Sequence, residues 1–132
     1  MNVYAFEGIG EDLDLVPLAG RRALDAVARK VSLEGWRALP IPSRRAIVVA
    51  GSAEVVDVAR VLEAIAAVPH TPLAASPEPP ADVVPDTLEH LPVHRWRELR
   101  ALDRWALENL ARRGRSGAVS ALLLELGLRP PP

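Results

Sequence analysis

Proline placement decides most of what this chain can fold into. A proline lacks the amide N–H that helix interiors and sheet ladders use, and it pushes the residue before it away from helical angles. Pro17 stands where a first-turn proline is tolerated, and Pro40 with Pro42 must end whatever runs through Leu39. Pro69, Pro72, Pro77, Pro79 and Pro80 forbid helix or central strand across 69–80. That stretch reads as an extended surface connector about which the chain could pivot. It divides a first helical half at 16–68 from a second at 81–128, with an extended acidic arm at 1–15 and a frayed tail at 129–132.

Between these marks the apolar spacing is helical. After Pro17, Leu18, Leu24, Val27 and Ala28 supply a buried stripe, with Arg21, Arg22, Asp25 and Arg29 following at helical spacing. Ser32 is expected to cap a short helix to Leu39, Ser43 the next helix, and Ser52 a longer one through Val68 with Val55, Val58, Leu62 and Ile65 on its apolar face. A helical turn is expected at 85–91. Beyond Gly114, Ser116 should cap a last helix that buries Val119, Leu122, Leu123 and Leu126 until Gly127 stops it.

Residues 46–50 are apolar and β-branched, and local propensity alone makes them a buried strand. An internal repeat overrules it. At a fixed offset of 60, Trp36, Arg37, Leu39, Arg44, Ala46 and Ile47 answer to Trp96, Arg97, Leu99, Arg104, Ala106 and Leu107, with Ser43 opposite Asp103. The second copy reads as plain helix, so 44–50 is expected to be helical too. The predicted fold is all-α: one compact domain of about six helices containing two related tryptophan-cornered helix-turn-helix hairpins. Arg44 and Arg104 fall in a first helical turn, where the macrodipole does not favour a cation, so each needs a carboxylate or carbonyl; an acidic partner is expected.

Composition narrows the chemistry. With 49% apolar and 25% charged residues and a net charge of −1, the balance is globular. The absence of cysteine excludes disulfides, thiolate catalysis and cysteine-ligated zinc or iron–sulfur centres. No apolar run is long enough for a bilayer, and the acidic start is unlike a signal peptide, which sets a cytoplasmic expectation. Asp25, Glu34, Asp57, Glu63, Asp103 and Glu108 are not paired by local spacing for acid–base work. His90 and His94 have zinc-helix spacing, but Pro92 interrupts it, and surface or cap histidines are the preferred reading. No nucleophile elbow or phosphate-cradling glycine loop is present, and no metal or cofactor is expected.

Charge is segregated. Glu7, Glu11, Asp12 and Asp14 make the arm acidic, whereas residues 94–115 hold seven arginines. Arginines beside Trp96 and Trp105 fit a helix-turn-helix DNA reader, yet the overall charge is slightly negative and the tryptophans sit at core spacing, so packing anchors are preferred.

Phe6, Glu7, then Val16, Pro17, Leu18, Arg22, Leu24, Asp25, Lys30, Ser32, Leu33, Trp36, Leu39, Arg44 and Arg45 form one pattern. Trp96, Leu99, Arg104, Ala106, Leu107, Leu110, Ala121, Leu122, Glu125, Gly127 and Leu128 continue it. The whole resembles the nitrate reductase-associated protein family. The departures are a short connection before Trp96, a tryptophan at Trp105 where phenylalanine is usual, and the proline-rich linker. The resemblance implies a non-catalytic accessory or chaperone protein for assimilatory nitrate reductase, whose molybdopterin and iron–sulfur groups must be inserted and protected. Partner contact is then expected from Arg95, Arg97, Arg104, Arg112 and Arg113, while Arg22, Asp25 and Lys30 either brace the fold or face the partner, with bracing preferred. Two other readings stay open: a small enzyme with a pocket of Arg22, Asp25, Arg44, His94 and Arg104, and a DNA binder with Arg97 and Arg104 pointing outward.

Overall fold

Helices α1 (Leu18–Ala26) and α3 (Ile41–Ser52) cross more closely than side chains normally allow, because the contact is made by Ala19, Ala23 and Gly51. A Cβ built on Gly51 would overlap the Ala19 carbonyl oxygen, so only glycine fits there. Gly20, on α1, lies against the Trp36 ring, where an added Cβ would stand 3.3 Å from Cη2. This crossing is the centre of a mostly helical, compact domain.

The computed structural model describes residues 2–130. A 3₁₀ turn at Ala5–Glu7 precedes α1; the chain continues through β1 (Arg29–Lys30), α2 (Leu33–Ala38), α3, α4 (Val58–Ile65) and β2 (Thr71–Pro72). A second 3₁₀ turn (Asp86–Leu88) follows, then α5 (Val93–Glu98), α6 (Ala101–Arg112) and α7 (Ser116–Glu125). Seven α-helices are thus found among the described residues, against about six expected. Of the expected tail, Pro131 and Pro132 lie outside the described residues. Residues 44–50 lie within α3 and are helical, not the strand that local propensity favours.

Trp36, Trp96, Ile47, Ile65, Leu88, Leu102, Leu107, Leu122 and Leu123 are fully buried and form the body of the core. Burial of a side chain of this class stabilises by roughly 1.5–3 kcal/mol, which is why short helices with little intrinsic stability hold together.

Three expected caps are displaced. Ser32 does accept from Gly35 N at 3.0 Å, but Ser43 lies inside α3, which begins after an extended Pro40 with Pro42 in its first turn. The prolines that end α2 also open α3, because a first-turn amide has no partner to lose. Ser52 is the last residue of α3 and donates its hydroxyl to Val48 O at 2.8 Å. Asp57 caps the shorter α4 instead, accepting from Arg60 N. Ser116 is the first residue of α7, not its cap.

The all-α expectation also misses a two-residue antiparallel pairing, Arg29 with Pro72 and Lys30 with Thr71, extended by Leu73 N donating to Ala28 O at 2.9 Å. Ala28, at φ 54°, reverses the chain after α1 and presents an edge that a proline-bearing strand can join.

Candidate functional site

Trp36 and Trp96 each lie, fully buried, in a short helix that is followed by a longer one. α2 and α5 have six residues each, and α3 and α6 have twelve. The connecting Leu39 and Leu99 are extended alike, at φ −70°, ψ 141° and φ −71°, ψ 154°. The arginine after each corner turns back onto it. Arg44 donates from Nε to Trp36 O and Leu39 O, from Nη2 to Arg37 O and from Nη1 to Asp12 O. Arg104 donates from Nη1 to Leu99 O, and its buried Nε has no partner. The partners are therefore carbonyls, not the acidic group expected: main chain lies beside both guanidiniums.

Asp103 binds elsewhere. Its carboxylate accepts from Tyr4 Oη at 2.5 Å, from Arg100 N at 3.2 Å and from Arg100 Nη2 at 2.9 Å. Burial first, then the Asp103 bond and charge, hold the Tyr4 phenol above its ordinary value, against an opposing pull from Arg100. The same acid raises the Arg100 guanidinium. The arm is thereby fastened to α6. Glu125 fastens it to α7 by accepting from Ala5 N and Phe6 N, each at 2.9 Å. Glu7 fastens it to α1 by accepting from Leu18 N at 2.7 Å and Tyr4 N at 3.0 Å, and its carboxyl is raised mainly by burial, the backbone bonds opposing.

Arg22 and Asp25 point from α1 into the protein. Arg22, 2% exposed, gives Nη1 to Gly51 O and Ala53 O, Nη2 to Glu54 O, and Nε to Glu78 Oε1 at 2.8 Å. It closes the C-terminal end of α3, where unpaired carbonyls and the macrodipole both favour a cation. Asp25 accepts from Ser76 N, while Arg112 reaches Ser76 Oγ at 3.0 Å. Together with the β1–β2 pairing and Trp96 Nε1 donating to Pro80 O, these bonds pin the proline-rich segment along its length. The expected extended connector is thus a strap bonded to side chains of both helical halves.

The expected contact residues divide by exposure. Arg22, Asp25 and Arg104 are buried; Lys30, Arg95, Arg97, Arg112 and Arg113 are exposed. Arg95 has a long pair with Glu98 at 3.8 Å, and Arg112 one with Glu108 at 3.6 Å. The five side chains of the enzyme reading have separate surroundings: Arg22 takes the α3 carbonyls, Asp25 takes Ser76, Arg44 and Arg104 take their own corners, and His94 is exposed. An open cavity of ≈ 440 Å³ between α3 and α4 is lined by Pro40, Ser43, Arg60 and Glu63 among others, and one of ≈ 390 Å³ by Val3, Leu13, Arg45 and Val49; neither includes any of the five. Of the DNA reading's two outward arginines, Arg97 is exposed and Arg104 is not.

Sequence reasoning gave no role to Tyr4, Glu78 or Arg100, and named Glu7 and Glu125 without their partners; Tyr4, Glu78 and Glu125 meet groups distant in the chain, whereas Arg100 pairs with Asp103 three residues on. It gave Arg21 no role beyond its helical spacing, and read Arg115 as the end of the basic stretch. Arg21 is held below its ordinary value by partial burial first and then by Arg113 and Arg115, with Glu7 opposing. Among the described residues no cluster of three or more His, Asp or Glu could hold a metal ion, and no helix is long and apolar enough to cross a membrane.

No curated protein and no solved structure matches this chain. A family described as conserved nitrate reductase-associated protein matches residues 3–122, which takes in every element from the first 3₁₀ turn to α6 and most of α7. By that match, the chain belongs to the conserved nitrate reductase-associated protein family.

Proposed function

We propose that this protein is a non-catalytic accessory factor that docks on assimilatory nitrate reductase, or on an intermediate in its assembly, in the cytoplasm. The single observation that carries this reading is the division of its arginines. Arg22, Arg44 and Arg104 are turned onto main-chain carbonyls, while Arg95, Arg97, Arg112 and Arg113 project from α5 and α6. Exposed guanidiniums on rigid helices are suited to a charged protein surface. The family description supports nitrate reductase as the associate. A chaperone-like role in protecting the reductase while its cofactors are inserted follows from the same reading.

The two tryptophan hairpins are read as copies of one unit. Equal helix lengths at an offset of 60 and the shared bonds from Arg44 to Leu39 O and Arg104 to Leu99 O support that reading. Duplication would explain how a small chain builds two equivalent rigid corners, only one of which keeps its Trp–Arg pair clothed by the arm.

The test is co-purification from the native cell with the tagged chain at micromolar concentration. Nitrate reductase or its apo-subunit should be retained and should elute together with the chain in gel filtration. A reductase that passes through unretained, in both cofactor-loaded and apo forms, refutes the reading.

A further inference from the structure

We propose that α4 pairs, antiparallel, with α4 of a second copy of this chain in a weak two-fold dimer. The pairing does not require the reductase, so it stands or falls separately from the docking reading.

The apolar face of α4 is wider than the core beneath it. The helix packs on α1 and α3 and buries Val61 and Ile65. Val55, Val58 and Leu62, expected from the sequence on the same buried face, are instead 83%, 43% and 41% exposed. Val58, Leu62 and Ala66 recur every four residues, so they stand one above the other as a ridge, with Ala59 exposed beside them. Valine lowers helix propensity, so local stability does not account for this composition on a short helix. Large apolar residues that adjoin in solvent are a contact surface, unlike the single exposed side chains scattered elsewhere.

Charge selects the occupant. Arg60 and Glu63 both line the open cavity between α3 and α4, which places them on one flank of the helix. They are three residues apart, yet among the described residues neither side chain has a hydrogen bond or ion pair, with the other or elsewhere. One cation and one anion near the middle of a helix are self-complementary under a two-fold axis. In an antiparallel pair centred on Leu62, the two Leu62 side chains meet and each Val58 meets the partner's Ala66. The flank that carries the charges falls on the same side in both copies, which brings each Arg60 beside the partner's Glu63. A parallel pair would set like charges together, whereas the antiparallel pair also opposes the two macrodipoles. A net charge of −1 leaves little repulsion between copies. The eight residues of α4 extend about 12 Å. Such a contact falls short of the roughly 1,200 Å² that a stable complex buries, so the dimer exchanges with monomer.

The test is sedimentation equilibrium of the full chain from about 10 μM to about 1 mM, with melting curves to confirm folding. The parent should show a monomer–dimer equilibrium within that range. Leu62→Asp should weaken dimerisation on the order of tenfold or more, since it sets two carboxylates at the centre of the ridge. Arg60→Glu and Glu63→Arg should each weaken it as well, because like charges then face each other. An equal mixture of those two variants should associate more tightly than either alone, every facing pair being opposite in sign. A parent that stays monomeric throughout, or a Leu62→Asp variant that dimerises like the parent, overturns the pairing. A mixture that associates no better than its components overturns the antiparallel arrangement on which the choice of a second copy rests.

Discussion

At the first tryptophan corner the arm runs close enough for Asp12, Leu13 and Asp14 to give successive carbonyls to Arg44, Trp36 and Arg37. At the second, Pro80 gives one carbonyl to Trp96, Arg97 projects into solvent, and Arg104 holds only Leu99 O. The donors are the same; the difference is whether a second stretch of chain passes by. A guanidinium has five N–H donors in a fixed fork, and a second stretch of main chain adds to the acceptors that a helix end already offers. Where such a stretch runs, arginine braces the fold. Where it does not, arginine is left for the surface or buried with a donor unused.

Replacement of the tryptophans should have the largest effect. Trp36→Ala and Trp96→Ala should each cost about 3–5 kcal/mol in denaturant unfolding, with Trp36→Ala the greater because Gly20 and the arm both lie against that ring. Equal losses would mean the arm adds nothing at the first corner.

The arginines separate the corners more sharply. Arg44→Met should cost about 2–3 kcal/mol, since it strands several carbonyls, whereas Arg104→Met should cost about 1 kcal/mol or less, one bond being lost and one unused donor removed. A reversed order in chemical denaturation would break the comparison.

Tyr4→Phe removes the tie between arm and α6 and should cost about 1–1.5 kcal/mol. Its pH dependence has a definite sign. The folded protein holds the phenol above its ordinary value, so this contribution is whole below about pH 10 and is lost as pH rises through the raised folded value. Parent and Tyr4→Phe melting temperatures should therefore converge in strong alkali.

The smallest effects concern caps. Ser32→Ala should cost about 1 kcal/mol, while Ser43→Ala should lie within about 0.5 kcal/mol of the parent, because only Ser32 bonds an orphan amide.

What the sequence revealed and concealed divides along the same physical line. Features set by neighbours a few residues apart were legible: the Ser32 cap, the Gly127 stop and the demand of Arg44 for an acceptor; the helix at 44–50, which local propensity made a strand, came only from comparison with the chain around Arg104. Features set by chain passing from afar were not. Nothing near Gly51 announces the Ala19 carbonyl, and nothing near Tyr4 announces Asp103, 99 residues away. Ser52 has the composition of a cap but spends its hydroxyl on Val48 O. The proline-rich segment was read as an extended connector because prolines remove local hydrogen bonding; its bonds come from Arg22, Asp25, Trp96 and Arg112, all elsewhere in the chain. Of the site, the exposed arginines of α5 and α6 were visible in the charge pattern.

The central claim is that buried arginines hold this fold and projecting arginines meet the reductase. It is tested most directly by a binding isotherm between the parent chain and native nitrate reductase, run at low and high salt. The account predicts saturable binding at micromolar concentration that weakens as salt rises. An isotherm with no saturation at either salt, or one that saturates equally at both, would contradict it.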